Sequence, residues 1–206
     1  MRLWKAISNQ TGAVIVDDNE NFWNTIKTFE LLFPKYLPKG RRVGVITPGG
    51  GSSVNTTDLL ASRNLSIPEL TSQSQERISE ILPKENVNIK NPVDLGALGF
   101  VVEIFIKCIE VVIRDPNVDI IVIPLWPHFL YNYVFKRMIK VQELTSKPIA
   151  FVLPSISDSL DIAQRFNTTK KTLHKEKIIY YFSLSEAAKS LSLLCDYSDF
   201  LKRIDS

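Results

Sequence analysis

The 206-residue sequence predicts an α/β three-layer sandwich, a mostly parallel sheet with helices on both faces. Three observations predict it. Short apolar runs rich in β-branched residues, VGVIT, IIVIPL, PIAFVL and KIIYYF, recur along the chain. None alternates polar with apolar residues, so each reads as a strand buried on both faces. Stretches of helical periodicity separate them, and strands alternating with helices imply βαβ units and parallel pairing.

Asp17 and Asp18 precede ENFWNTIKTFELL, where Phe22, Ile26, Phe29, Leu32 and Phe33 recur at helical spacing and Pro34 and Pro38 end the run. Residues 1–40 therefore read as an extension, a helix and a linker, and residues 41–206 as the sandwich domain. VGVIT starts at Val43, bounded by Gly40 and Pro48. Gly49, Gly50 and Gly51 then turn the chain, and Ser52, Ser53 or Thr56 is placed to cap a helix continuing through Asp58, Leu59, Leu60 and Ala61. TSQSQERISEIL, residues 71–82, is a polar surface helix with Ile78, Ile81 and Leu82 inward, stopped by Pro83. KENVNIKNPVDLGALG reads as irregular. From Val101 to Arg114 the polar residues Glu103, Lys107, Glu110 and Arg114 form one narrow stripe in acid-first i,i+4 order, the mark of a largely buried helix.

DPNVD turns the chain into IIVIPL, Ile120 to Leu125. A helix from Leu130 to Leu144 carries Tyr133, Val134, Met138, Val141 and Leu144 on one side. PIAFVL follows, then a shorter helix from Asp158 to Phe166, a polar loop holding Lys170, Lys171, His174, Lys175 and Lys177, and KIIYYF. Ser183 and Glu186 make a capping box for a last helix lined by Ala187, Leu191, Leu194, Tyr197 and Leu201. This order is flavodoxin-like or Rossmann-like. Ligands of such open sheets bind at the carboxyl ends of the strands, which directs attention to the loops after Thr47, Leu125, Leu153 and Phe182.

A hydrophobic content of 45% with 10% aromatics suffices for a full core, which argues against global disorder. Charged residues make up 23% and nearly cancel to a net +3, and the basic cluster around Lys171 lacks interleaved aromatics, so no nucleic-acid partner is expected. Cys108 and Cys195 lie far apart in apolar runs, as reduced, buried thiols of a cytoplasmic protein do. MRLWKAISNQ lacks a signal-peptide core, and no apolar run reaches the roughly 18 residues of a spanning helix, so no membrane association is expected.

The glycine turn follows a strand and opens a helix, where free amides and the helix dipole favour an anion. No Gly-Lys-Ser/Thr follows, and no GxGxxG with a distant acidic residue is present, so triphosphate and dinucleotide binding lack support. On pattern alone a phosphate site and a structural corner stand level. In NPVDLG, Pro92 biases Asn91 to an extended conformation and Asp94 either caps the next turn or faces a ligand, with the structural reading the stronger. His128, just after the second apolar strand run, and His174 have no Cys, Asp or His partner at metal or triad spacing and read as structural or exposed. Asp115 and Asp119 read as turn and solvation residues. Spacing alone therefore yields one phosphate-site candidate, Gly49, Gly50, Gly51, Ser52 and Ser53, with no catalytic residue and no metal ligand.

GRRVGVITPGGGSSVNTTDLL, a polar helix ending ILP, NPVDLG, and a helix followed by DPNVDIIVIPL together resemble the NDP-forming acyl-CoA synthetases, relatives of succinyl-CoA synthetase. The similarity runs from about Thr11 to Leu201, includes the ending KIIYYFSLSEAAKSL, and is most specific at NPVDLG. It implies the flavodoxin-like ligase domain of a modular enzyme whose other parts are a CoA-binding domain, a phosphohistidine domain and an ATP-grasp pair. Such enzymes, the ADP-forming acetate–CoA ligases among them, couple cleavage of an acyl-CoA thioester reversibly to phosphorylation of an NDP, with the phosphoryl group carried on a histidine. The resemblance further implies that Gly49, Gly50, Gly51, Ser52 and Ser53 receive the phosphohistidine or phosphate at a helix N-terminus, with Asn91 and Asp94 as supporting candidates. CoA and ATP or ADP with Mg belong to the complete enzyme, and none is assigned to this chain.

Two departures shape the expectation. Family members place the phosphorylated histidine in a Ser-His-Thr-Gly-like segment, whereas SNQTGA has Gln10 there; an ungapped alignment instead sets QTGAVIVDD just before the first helix, with the histidine domain upstream. The remaining length also holds no CoA-binding or ATP-grasp fold. The chain is thus expected to act only with partner subunits that carry the CoA-binding, phosphohistidine and ATP-grasp domains. The alternative from another class is a non-catalytic binding or regulatory domain of the same fold that associates with synthetase subunits. A third, an independent α/β enzyme, would rest on His128.

Overall fold

A computed structural model of the protein describes residues 2–82, 87–125, 132–153 and 160–204. Among them the apolar runs form β1 (Val43–Thr47), β3 (Ile120–Pro124), β4 (Ile149–Val152) and β5 (Tyr180–Tyr181), joined by a two-residue β2 (Val93–Asp94). All pair in parallel, in the order β2-β1-β3-β4-β5, the flavodoxin-like arrangement. The register sets Val43 beside Ile120, Ile123 beside Phe151, and Phe151 beside Tyr180.

Continuous apolar strands are needed because both faces are covered. Ile46, Ile121, Ile123, Ile149 and Phe151 meet one helix layer, α4 (Ser72–Ile81), α5 (Val102–Val112), α6 (Asn132–Ile139) and α7 (Leu160–Lys175). Val43, Val45, Ile120, Val122, Ala150 and Val152 meet the other, α2 (Asn19–Leu32), α3 (Gly50–Ala61) and α8 (Leu184–Ile204). Gly44 is the exception in β1. A Cβ there would lie 2.6 Å from Val112 Cγ1 and 3.0 Å from Val118 Cγ1. Because β1 is held by strands on both sides and has little room to yield, Gly44→Ala is expected to cost about 2 kcal/mol by overpacking, measurable as a lower urea midpoint at unchanged slope.

Half of the capping box forms as the spacing predicts, Glu186 N–H donating to Ser183 Oγ at 3.1 Å, while the Glu186 carboxylate accepts from Phe182 N–H, one residue before the N-cap, at 2.9 Å. Thr71 caps α4 through its hydroxyl. Cys108 and Cys195 are buried free thiols, each pushed up to about 12, Cys108 by burial and Cys195 chiefly by burial.

Several elements depart from expectation. MRLWKAISNQ contributes a helix, α1 (Arg2–Thr11), that joins neither core cluster. The irregular NPVDLGALG supplies β2 and a 3-10 helix, Gly96–Phe100. The polar loop after Phe166 is instead the second half of α7, held down by buried Thr169 and Leu173 one turn apart, so the basic cluster lies on and just beyond a helix. Of the stripe expected after Leu130, Met138 and Val141 are buried but Leu144 is exposed. In α2, Leu32 is buried while Phe22, Ile26 and Phe33 face outward.

Asp115 and Asp119 are buried, not solvated. Asp115 accepts from Thr71 N–H and Oγ1, both at 2.9 Å, and from Asn117 N–H at 2.8 Å, while Asp119 takes a two-pronged contact from Arg42 Nε and Nη2, both at 2.8 Å. Burial alone pushes each carboxyl up. Hydrogen bonds to Asp115 from Ser74, Asn117 and Thr71, and Arg42 beside Asp119, outweigh it and hold both below the ordinary aspartate range. A depressed folded-state value gives stability that is complete above pH 4 and lost as pH falls through it. Asp119→Asn is therefore expected to unfold with a shallower acid profile below pH 4, seen by circular dichroism.

Candidate functional site

The strand order reverses at β1, which has β2 on one side and β3 on the other, so the crevice of this sheet opens at the carboxyl ends of β1 and β3. Beyond β1 lies the glycine turn. Gly49 is the N-cap of α3, and no side chain caps it. The first helical bond runs from Ser53 N–H to the Gly49 carbonyl at 3.2 Å, which leaves the Gly50, Gly51 and Ser52 amides as the open donors of the first turn. The capping expected of Ser52, Ser53 or Thr56 is not made; the Thr56 hydroxyl instead donates to the Ser52 carbonyl at 2.7 Å.

These glycines are not required by the chain itself. None of the three has a left-handed φ, and a Cβ at Gly49 or Gly51 would meet nothing within 4 Å. Gly50 is tighter, with Asp94 Oδ2 3.1 Å from the position of a Cβ. What their lack of side chains achieves is an uncovered row of amides at the switch point of the sheet.

The turn is fixed from below. Buried Thr47 and Ser53 join hydroxyl to hydroxyl at 2.5 Å, and Ser53 Oγ reaches back to the Gly49 carbonyl at 3.4 Å, so this hydroxyl points to the strand rather than to the mouth. Gly99 supports the turn from the side: a Cβ on it would lie 2.6 Å from both Cα and Cβ of Pro48. Sequence reading missed Gly99, whose signal was a second glycine in GALG three residues after Gly96.

Asn91 and Asp94 stand at different places. Asn91 replaces a strand partner along β1, its Oδ1 accepting from Val45 N–H at 3.0 Å and its Nδ2 donating to the carbonyls of Val43 and Pro68, both at 2.8 Å. Asp94 follows at the mouth. Its Oδ1 accepts from Gly96 N–H at 2.9 Å, capping the 3-10 turn, while Oδ2 faces Gly50. Of the seven candidates, the structure thus brings the Gly49–Ser52 backbone and Asp94 to one mouth and turns Ser53 and Asn91 inward to β1. The loops after Leu125 and Leu153, and His128 with them, lie outside the described residues. Among the described residues no group of three or more His, Cys, Asp and Glu side chains could hold a metal ion, and no helix is long and apolar enough to cross a membrane.

At the far end of the same sheet edge, Lys27 of α2 and Lys170 of α7 both reach the Phe182 ring, at 5.6 and 5.3 Å. Burial lowers Lys27 to about 8.

No family model matches the chain. It is 27% identical over 161 residues to acetate–CoA ligase [ADP-forming] II of Archaeoglobus fulgidus, covering 76% of this chain and 23% of the relative. It is 29% identical over 123 residues to the alpha subunit of the Pyrococcus furiosus acetate–CoA ligase [ADP-forming] II, covering 59% of this chain and 25% of the relative. Two solved structures share its fold. One, from Pyrococcus horikoshii OT3, superposes with a TM-score of 0.80 at 21% identity over 97% of this chain and 44% of its own. The other, a dinucleotide-forming acetyl-coenzyme A synthetase of Ca. Korarchaeum cryptofilum in complex with phosphate and ADP, gives 0.78 at 19% identity over 99% and 42%. The chain spans about a quarter of the length of the curated relatives it matches. Over most of its length the chain is thus similar to a fragment of the ADP-forming acetate–CoA ligases, with the strand order of a flavodoxin-like sheet.

Proposed function

We propose that the chain is the ligase-domain component of an NDP-forming acyl-CoA synthetase and receives a phosphoryl group, as phosphohistidine or phosphate, at the N-terminus of α3. The single observation that carries this reading is the row of Gly50, Gly51 and Ser52 amides, uncapped, at the switch point, where neither φ nor packing requires glycine at Gly49 or Gly51. Backbone donors and a helix dipole aimed at a fixed spot stabilise a transferring phosphoryl group without any side-chain base. The relatives' length supports partners: the CoA-binding, phosphohistidine and ATP-grasp domains would come from other polypeptides of a cytoplasmic synthetase, which would also bring CoA and ADP with Mg. The overall reaction is acyl-CoA + NDP + phosphate to acid + CoA + NTP, reversibly.

One observation favours the second reading, a non-catalytic domain that only associates with synthetase subunits. Asp94 sets a carboxylate beside Gly50, and like charge opposes phosphate. Mixing the chain with candidate partner polypeptides and following acetyl-CoA-dependent formation of ATP from ADP and phosphate separates the two. Turnover that needs the chain and is lost in the Gly50→Val variant supports phosphoryl binding; assembly with equal turnover by wild type and variant supports the non-catalytic domain.

A further inference from the structure

Lys27 of α2 is a half-buried amine set among aromatic rings. Its Nζ lies 4.5 and 5.2 Å from the ring centres of Tyr180 and Tyr181 in β5, and 5.6 Å from that of Phe182 just beyond the strand. Among the described residues no carboxylate pairs with this amine and no hydrogen bond holds it, whereas its neighbours are engaged elsewhere: the Tyr181 hydroxyl meets the Thr28 hydroxyl at 2.8 Å, and Glu186 accepts from Phe182 N–H. A second cation stands beside it. Lys170 of α7 reaches the same Phe182 ring at 5.3 Å and the Phe166 ring at 5.6 Å.

Ring faces attract an ammonium but do not replace the hydrogen bonds of its lost water, so enclosure among them weighs against the charge. Burial, opposed in part by the charge of Glu186 and aided by that of Lys170, lowers this amine to about 8. Desolvation and a neighbouring cation are two conditions that make a lysine nucleophilic near neutral pH, and both meet here. The enclosure is open on one side, because Phe182 is 37% exposed. It is also apart from the glycine turn: β5 is the outer strand, with β3 and β4 between it and β1.

We propose that Lys27 is an acyl-acceptor site, its amine taking an acyl group from an acyl thioester or an acyl phosphate. The neutral Nζ attacks the carbonyl carbon. A C–N bond forms as the C–S bond of the thioester, or the C–O bond to phosphate, breaks; the leaving sulfur or oxygen departs with the electron pair, and the proton shed by the nitrogen passes to it. Nothing is oxidised or reduced. The product suits the enclosure better than the reactant does, since the amide carries no charge and its alkyl group lies against ring faces. An acyl thioester is the substrate in the synthetase reading above, on which this choice of donor rests; the surroundings of the amine are independent of it.

The test incubates the full chain, without partner polypeptides, with acetyl-CoA in one arm and acetyl phosphate in the other, and follows each lysine by peptide mass spectrometry. At about pH 7, Lys27 should be acetylated about 10-fold faster than Lys35, an exposed lysine that faces the Tyr36 ring alone. Its rate should level off above about 8, where an ordinary amine still gains reactivity; Tyr180 and Tyr181, both raised by burial, stay neutral there. Lys170→Gln, which removes the neighbouring cation, should slow Lys27 about threefold and leave Lys35 unchanged. Reaction in one arm alone upholds the site and identifies its donor. If Lys27 reacts no faster than Lys35 in either arm, the inference is overturned whatever the chain does with partner polypeptides. Selective reaction of Lys27 in a chain that supports no ATP formation on reconstitution upholds the site and counts against the synthetase reading instead.

Discussion

Gly51→Val is expected to leave the chain folded and to lower its support of ATP formation about 100-fold, the scale of losing aimed backbone donors to a developing anion. The two halves of this result have separate causes. Nothing lies within 4 Å of a Cβ at this position, and the residue is the second of α3, where a side chain improves helix propensity over glycine. The urea midpoint should therefore stay level or rise slightly. The valine methyls would, however, stand over the amide row that glycine leaves open. Gly50→Val is less clean, because its Cβ also presses on Asp94 Oδ2. Measuring stability and reconstituted turnover on one preparation of Gly51→Val checks both halves. A variant that turns over like wild type would leave the turn a structural corner.

Asn91→Leu is expected to be the most destabilising substitution in NPVDLG, by about 3 kcal/mol, from leaving buried backbone groups unpaired. β2 pairs with β1 only at Ile46 and Thr47, and Ser66 takes only the Val43 N–H, so the middle of this β1 edge depends on the Asn91 amide for its hydrogen bonds. Leucine supplies bulk but no donor or acceptor, and the Val45 N–H and the Val43 and Pro68 carbonyls lose their partner together. For a domain of this size the melting temperature should fall by about 10 °C. Asn91→Asp is informative beside it, since it keeps the acceptor for Val45 and loses both donations. An intermediate loss is expected.

These two residues also show how far the sequence could be read. The strands β1, β3, β4 and β5 were legible because an uninterrupted apolar run this short, between breakers, has few other fates in an α/β domain. β2 was not, because two residues carry no periodicity, and its place in the sheet depends on contacts with β1 that lie far away in sequence. The second half of α7 was misread because Asn167, Thr168 and Thr169 suggest a loop, while the contact that holds it, Leu173 in the core, is tertiary. In α2 the spacing showed which residues share a face. It could not show whether that face meets the sheet or something outside. The glycine turn was legible as a candidate from strand, glycines and helix in succession, yet the roles of its companions were not: Asn91 and Ser53 are polar residues whose partners proved to lie along β1 and at its end.

Gly99 against Pro48 has a further consequence for how the mouth works. The end of β1 is wedged between the Thr47–Ser53 hydroxyl pair and the 3-10 segment, at a contact too close for even a methyl group. A seat wedged in this way has little freedom to adapt to its guest. If the turn receives a phosphoryl group as proposed, the reorganisation that water would undergo around the arriving charge is already completed during folding, and the amides hold their aim beforehand.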